Sequence, residues 1–130
     1  MLVPVTALYA ILLGLLSVVL LLGVGRGRLR TGVSLYDGGD AELAVAIRRH
    51  ANFTEQVPLT LLLIAIVELN GAPQLWVHAL GAALLVCRIL HPFGLRFDQA
   101  KVPLRFYGAF GTLLVTLAAI VMAASQLLRA

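Results

Sequence analysis

The sequence predicts an all-α integral membrane protein, a bundle of four transmembrane helices in which residues 1–130 form a single domain. Hydrophobic residues make up 61% of the chain and charged residues only 12%. The mean hydropathy is +0.99, which lies well above that of ordinary soluble domains. The apolar residues gather in four long stretches, and shorter segments rich in glycine, proline or charge separate them.

Four apolar stretches give the helices in order: Pro4 to Val24, Val57 to Val67 with a mixed segment before it, Leu75 to Leu90, and Leu104 to Leu128. Each of the two outer stretches is long enough to span about 30 Å of hydrocarbon at about 1.5 Å per residue. The first stretch lacks a basic segment before it and is longer than the apolar core of a signal peptide. We therefore expect it to be a membrane helix rather than a removable leader.

Local sequence signals predict the helix boundaries. Asp40 is a good N-cap for the second helix, and the turn sequence NGAP at residues 70–73 closes that helix. Pro92 predicts that the third helix ends or kinks just before it, because proline cannot donate the helical hydrogen bond. Pro103 suits the first position of the fourth helix.

Basic residues predict the orientation of the bundle. The first connection, residues 25–40, and the third, residues 91–103, contain these basic residues: Arg26, Arg28, Arg30, Arg96 and Lys101. The second connection, ELNGAPQ, contains none. Because lysine and arginine favour the cytoplasmic side, we expect the first and third connections to face the cytoplasm and both termini to lie opposite. Arg129, near the C-terminus, does not fit this distribution.

Charge and cysteine usage exclude several classes of function. The net charge of +4 is explained by the membrane topology, and no basic face with interleaved aromatic residues indicates a nucleic-acid partner. The single cysteine, Cys87, allows neither an intrachain disulfide nor a paired-cysteine metal site. We therefore expect no metal and no nucleic acid, and a lipid bilayer as the surrounding partner.

The stretch RRHANFTE, residues 48–55, places charged side chains directly before an apolar segment. If Glu68 marks the far boundary of the hydrocarbon, Arg48 lies about 30 Å away at the near boundary. Glu55 then lies roughly 10 Å inside the hydrocarbon. A carboxylate at that depth is costly unless it is paired, neutralised or reached by water.

Helical periodicity places Arg48, Asn52 and Glu55 within an arc of about 60°, whereas His50 points nearly the other way. Asn52 lies between the two charged residues, where its amide can reach both of them or a ligand. One interpretation is a structural ion pair that joins helices. The other, which we favour, is a water-accessible pocket for an anionic or zwitterionic guest. Pro58 predicts a kink just beyond Glu55.

Other helices bring polar residues to the same membrane level: Arg88 and His91 on the third helix, and Arg105 with Tyr107 on the fourth. Some of these arginines are also explained as simple cytoplasmic anchors. An excess of arginine around one carboxylate fits a molecule with several carboxylates and one ammonium group. Guanidinium groups then bind the acids, and Glu55 binds the amine.

RRHANFTE resembles the Arg-x-His-x-Asn-x-x-Glu signature on the second helix of the MAPEG superfamily, membrane-associated proteins in eicosanoid and glutathione metabolism. The segments CRILH and VPLRF also fit, and LYDGGDAELAVAIRRHANFTEQVPL is similar to the small bacterial members. The resemblance covers essentially the whole chain. It implies a homotrimer of four-helix bundles in a bacterial inner membrane.

The resemblance also implies which residues form the site. The enzymes of this superfamily bind glutathione in a bent form between neighbouring subunits, on the cytoplasmic side. Arg105 is the candidate for the arginine that stabilises the cysteinyl thiolate, and Arg30 is the candidate, with Arg26 and Arg28, for an arginine that reaches across from the adjacent subunit. The glutathione contacts implied on the second and third helices are Arg48, His50, Asn52, Glu55, Arg88 and His91.

The function implied is that of a glutathione transferase or peroxidase, with glutathione as co-substrate and no metal. An arginine-stabilised thiolate would attack a lipophilic electrophile or hydroperoxide that arrives from the bilayer. Leu95 stands where many enzymes of the superfamily carry tyrosine, and Ala51 stands where some carry another arginine. The alternative is a non-enzymatic lipid- or glutathione-binding scaffold of the same fold. A small transporter is disfavoured, because residues 4–24 contain no carboxylate.

Overall fold

The computed structural model of the protein describes residues 2–95 and 102–129. Within these ranges it contains no strand and has four helices: α1 (Pro4–Thr31), α2 (Ala41–Leu69), α3 (Gln74–Gly94) and α4 (Pro103–Leu127). Each helix is long and apolar enough to cross a membrane. The predicted all-α architecture with four membrane-spanning helices is confirmed. Arg96 and Lys101, which contribute to the predicted orientation, lie outside the described residues.

The two middle helices organise the bundle. α2 and α3 contact each other, and each of them also contacts both α1 and α4, whereas α1 and α4 make no contact within the described ranges. The core forms mainly from aliphatic side chains, and among its fully buried members are Leu13, Ile64 and Leu84. In the most apolar window of α1 only 6% of the residues are buried, against 33% in α3. Most of α1 is therefore available to lipid or to another protein surface.

α1 extends beyond the end that the sequence predicted. Hydropathy placed the end of the apolar stretch at Val24, but the helix continues to Thr31 and is about 42 Å long. Basic residues in the last turn suit the negative end of the helix dipole. Gly32, with φ of +71°, then ends the helix, and its N–H donates to the Arg28 carbonyl. The three arginines of the first connection therefore lie on α1 and not in a loop.

α2 begins as predicted. The Asp40 carboxylate accepts a hydrogen bond of 2.7 Å from the Leu43 N–H, which satisfies one of the free amides at the helix start. The Arg30 guanidinium and the Leu43 N–H both bond to this carboxyl group and hold its pKa below the usual range. α2 continues through Pro58 to Leu69 without ending. The kink predicted at Pro58 stays a prediction.

α3 and α4 approach each other closely. α3 continues two residues past Pro92 to Gly94, because a proline removes only one backbone donor and the helix can still close with a bond from the Leu95 N–H to the Pro92 carbonyl. Pro103 occupies the start of α4, as predicted. A Cβ atom added at Gly108 would lie 2.8 Å from the Cys87 carbonyl oxygen, so only glycine permits this approach.

The bundle has two distinct ends. We call the end that contains the C-termini of α1 and α3 and the N-termini of α2 and α4 the arginine end. The opposite end, which includes the α2–α3 turn at residues 70–73, is the turn end. At the turn end, the Glu68 carboxylate accepts hydrogen bonds from the backbone N–H groups of Val5 and Thr6. There too, the Gln126 side-chain amide donates to the Val67 carbonyl.

Candidate functional site at the arginine end

An exposed ion pair lies on the outward face of α2. The two Arg48 Nη atoms donate to the two Glu55 carboxylate oxygens at 3.1 and 3.3 Å. The side chains are 57% and 48% exposed, respectively. They lie two turns apart on one helix face, as the periodicity predicted. If Glu68 marks the far boundary of the hydrocarbon, Glu55 lies roughly one-third of the way into it. Contact with lipid tails alone is unfavourable for a charged pair at that depth.

Arg88 joins three helices next to this pair. Its Nη1 donates to the Asn52 side-chain oxygen at 3.0 Å, and its Nη2 donates to the Gly108 carbonyl at 2.7 Å. The residue is 2% exposed. Asn52 therefore bonds across to α3 and not to Arg48 or Glu55, beside which the sequence placed it. Bonds from a charged donor are strong in a low-dielectric interior, so this bridge fixes α2, α3 and α4 relative to one another.

The Arg88 guanidinium is a buried cation without a carboxylate partner among the described residues. Its Nε also has no hydrogen-bond partner there. Burying an unpaired charge is costly, and neutral oxygens offset only part of that cost. The site therefore favours a nearby negative charge.

His91 lies one turn beyond Arg88 on α3 and is 4% exposed. Its Cα and Cβ atoms lie against Gly108, where an added Cβ would come within about 3 Å of them. The ring is within electrostatic range of Arg48, Arg88 and Arg105. Cationic side chains of α2, α3 and α4 therefore all act electrostatically on this imidazole.

Arg105 lies in the first turn of α4 and is half-buried. Its backbone N–H is close to Gly94, so a Cβ at that glycine would collide with it. The last turn of α3 and the first turn of α4 thus hold each other in place. This contact positions the Arg105 backbone beside the Arg88–His91 region.

Arg49 makes a contact that the sequence did not reveal. Its Nη2 donates to the Leu95 carbonyl at 3.0 Å, which joins α2 to the end of α3. A guanidinium is favourable there, because it satisfies a free carbonyl and lies at the negative end of the helix dipole. The structure does not bring His50 into the cluster, since its half-buried side chain makes no hydrogen bond to any described residue.

The arginines of α1 differ in what they contact. Arg30 forms a two-bond ion pair with Asp40, at 2.7 and 3.1 Å, and a further contact with Glu42. Arg28 donates to two carbonyls of the following connection, those of Val33 and Tyr36. The structure thus engages Arg30 within its own chain and does not bring it to the ion pair on α2.

Sequence reasoning also missed a polar cluster at the turn end. It used Glu68 only as a marker of depth, yet this carboxylate accepts from the Val5 and Thr6 N–H groups at 2.9 and 2.7 Å. Nearby, the Tyr9 hydroxyl lies 3.2 Å from His78 Nδ1. A signal was present, because α1 has Val3 at its N-cap, which offers no side-chain acceptor for the first amides of the helix.

Comparison with known proteins agrees with this architecture. A model of the MAPEG family matches residues 6–125. The chain is also similar to the inner membrane protein YecN of Escherichia coli K12 and to the protein of the same name in Escherichia coli O6:H1. Each is 41% identical over 90 residues, which cover 69% of this chain and 69% of the relative. The matched region includes all of α2 and α3 and nearly all of α1 and α4, and the chain belongs to the MAPEG family.

Proposed function

We propose that the protein is a glutathione-binding protein of a bacterial inner membrane, and that it acts as a glutathione transferase or peroxidase on lipophilic substrates. The observation that carries this proposal is the exposed Arg48–Glu55 pair beside the buried Arg88–Asn52 bridge. Among the described residues, one carboxylate, that of Glu55, and several guanidinium groups lie at this level of the bundle. The family and the name of the relatives support the membrane location.

Charge complementarity supports glutathione as the guest. The tripeptide carries two carboxylates, one ammonium group and a thiol. The Arg48 and Arg105 guanidinium groups suit the carboxylates and the thiolate. The buried Arg88 guanidinium adds positive potential at the same site. Glu55 suits the ammonium group, because it can exchange its bond to Arg48 for one to the ligand. The contacts proposed for His50 and His91 are weaker, since neither side chain carries a permanent charge.

The cover over this site is proposed to be a second copy of the chain. An ion pair that is about half exposed does not face lipid tails stably at that depth. A homotrimer would enclose it and would leave a water-filled groove between neighbouring subunits. Arg26 is the α1 arginine that remains available for such a groove. Among the described residues its guanidinium makes no ion pair or hydrogen bond, whereas Arg28 and Arg30 are both engaged.

The mechanism proposed is electrostatic. The Arg105 guanidinium stabilises the glutathione thiolate, whose sulfur attacks the electrophilic carbon while the leaving group departs with its electron pair. With a hydroperoxide, two glutathione molecules are oxidised to the disulfide, and the peroxide is reduced to an alcohol and water. Lipophilic substrates reach the thiolate from the bilayer through the groove between neighbouring subunits.

One observation favours the alternative of a non-enzymatic scaffold that binds glutathione or lipid. Both Nη atoms of Arg88 are already used within the chain, by Asn52 and by the Gly108 carbonyl. This engagement is typical of a structural arginine. Leu95, which also lacks the hydroxyl found in many enzymes of the family, offers only its carbonyl to Arg49.

The test is glutathione binding to the detergent-purified protein, followed by the ultraviolet absorbance of the bound thiolate. We expect a thiolate band that Glu55→Gln removes by abolishing binding, and that Arg105→Ala removes while leaving binding measurable. Gln56→Ala, an exposed neighbour on the same turn, serves as the matched control. Binding without a thiolate band would favour the scaffold, and no binding at all would overturn the proposal.

A further inference from the structure

A cavity of about 520 Å³ lies at the turn end, remote from the site described above. It is enclosed by the α2–α3 turn and the last turns of α4. Its lining residues are Asn70, Gly71, Ala72, Pro73, Met122, Ser125, Gln126 and Arg129. The cavity lies beside the ends of α2 and α4, whose last residues are Leu69 and Leu127. Its lining combines polar side chains, such as Asn70 and Ser125, with the apolar side chain of Met122.

Gln126 lines this cavity, and its side chain carries a buried acceptor. Its Nε2 donates to the Val67 carbonyl at 3.0 Å and to the Asn70 carbonyl at 3.4 Å. These two acceptors fix the orientation of the amide, because a flipped amide would place its oxygen against two other oxygens. The Oε1 atom is buried and has no partner among the described residues. A buried oxygen of this kind favours a donor from a bound molecule.

Arg129 supplies a cation to the same cavity. Its guanidinium makes no hydrogen bond or ion pair within the described ranges. Glu68 is the acidic residue that α2 places at this end, and its two oxygens are taken by the first amides of α1. Within the part of the chain that the structure describes, the cavity therefore combines a guanidinium without a counter-ion and a side-chain oxygen without a donor.

A second, smaller cavity of about 270 Å³ lies next to the first. The two share Asn70 and Gln126, and the remaining lining of the second is apolar: Ile66, Ala123, Ala124 and Leu127. Ile66 lies one turn nearer the middle of the bundle than Asn70, so the apolar part points toward the membrane interior. A polar opening followed by an apolar groove matches the shape of an amphiphile at the membrane surface.

We propose that these two cavities bind one glycerophospholipid whose headgroup has both a phosphate and an O–H or N–H donor. The phosphate pairs with Arg129, the headgroup donor bonds to Gln126 Oε1, and an acyl chain lies along the groove beside Ala124. Phosphatidylglycerol and phosphatidylethanolamine have both groups. Phosphatidylcholine has the phosphate but no such donor. This site does not depend on glutathione binding, and it gives a reason for a basic residue at the end that is otherwise poor in positive charge.

Lipid selectivity in the unmodified protein tests the role of Gln126 without altering a residue that also holds α4 to α2. The measurement is native mass spectrometry of the detergent-solubilised protein titrated with phosphatidylethanolamine or with phosphatidylcholine of identical acyl chains. Both lipids are zwitterionic, and we expect phosphatidylethanolamine to bind more tightly, by roughly five- to tenfold, because only its ammonium group can donate to the buried oxygen. Equal binding of the two lipids would overturn the proposal.

Two variants test the remaining parts. Arg129→Ala should weaken phosphatidylglycerol binding roughly tenfold, whereas Arg26→Ala, which removes an arginine without a described partner at the other end, should not. Ala124→Leu should weaken lipid binding by filling the groove. Soluble glycerol phosphate should bind at least tenfold more weakly than the lipid, because it lacks the chain. An unaffected Arg129→Ala protein, or glycerol phosphate bound as tightly as the lipid, would each contradict the assignment.

Discussion

The two ends of the bundle each use one carboxylate of α2, and they use it differently. Glu68 accepts two hydrogen bonds from the first amides of α1, so both of its oxygens bond to the backbone of another helix. Glu55 bonds to Arg48, a side chain two turns away on the same helix, and the pair is largely exposed. The first arrangement holds the fold together. The second contributes nothing to helix packing and can be exchanged for a ligand, which is the difference expected between a structural and a binding carboxylate.

The largest expected effect is on chemistry at the arginine end. Arg105→Ala should lower turnover of a model electrophile with glutathione by about 100-fold or more, because the developing thiolate loses its cation. The measurement is the rate of conjugate formation by the purified protein, with Arg105→Lys expected to retain part of the activity. Glu68→Gln, at the other end, is the matched control and should leave the turnover of folded protein unchanged. Equal losses of turnover in the two variants would contradict the proposed functional difference between the two ends.

The next largest effect is on stability. Here the substitution at the turn end should have a larger effect than the substitution at the arginine end. Glu68→Gln should lower the free energy of unfolding by about 1–2 kcal/mol, since a neutral amide interacts less favourably with the helix N-terminus than a carboxylate does. Glu55→Gln should change it by less than about 1 kcal/mol, because an exposed pair contributes little. Thermal unfolding in one detergent measures both. A larger loss for the Glu55 variant would contradict this interpretation of the two carboxylates.

A smaller effect concerns acid sensitivity of the α1–α2 connection. The bonds from Arg30 and from the Leu43 N–H lower the pKa of Asp40, so the folded state binds this proton less readily than the unfolded chain does. The stabilisation is therefore fully present above the ordinary carboxyl value of about 4 and is lost as the pH falls through the lowered pKa. Asp40→Asn keeps a good cap but removes the charge. Its unfolding temperature should fall less steeply below pH 4 than that of the unmodified protein, and an identical slope would show that this carboxyl does not contribute.

The smallest effect concerns the region between the two ends. The hydroxyl groups of Thr60 and Thr116 lie 2.8 Å apart and join α2 to α4, while each is also close enough to donate to a carbonyl of its own helix. Thr116→Val should cost about 0.6 kcal/mol of unfolding free energy, the average for such bonds inside membrane bundles. Thr54→Val, an exposed hydroxyl on α2 that bonds only to its own helix, is the control. Neither variant should alter glutathione or lipid binding, and a change at either end would show that the ends are coupled.

Local sequence was sufficient to predict most of the fold. The apolar stretches, the cap at Asp40 and the proline that begins α4 depend only on neighbouring residues, and the structure confirms them. The end of α1 was misplaced because hydropathy reports only where the apolar stretch ends, whereas the helix continues beyond it to a left-handed glycine, Gly32. Similarly, the sequence predicted an end or a kink of the third helix just before Pro92, whereas the helix continues for two residues beyond it.

The relative positions of the site residues could be predicted from the sequence only where those residues lie on the same helix. Helical periodicity was enough to place Arg48 and Glu55 on one face, because their relation is fixed by the geometry of α2 alone. The bonds from Arg88 to Asn52 and from Arg49 to the Leu95 carbonyl depend on how each helix is rotated and how deeply it is set against its neighbour. Nothing in the spacing of residues along the chain reports those rotations. The cavities at the turn end depend on them in the same way.

The bond between Glu68 and the start of α1 has a consequence for biosynthesis. The carboxylate lies 63 residues after the Val5 amide that it binds. During translation the first helix therefore enters the bilayer before this acceptor for its leading amides has been synthesised. The hydrogen bonds to Glu68 cannot form until the second helix has been made almost to its last residue. The α1–α2 hairpin therefore reaches its final packing only after Glu68 has emerged from the ribosome.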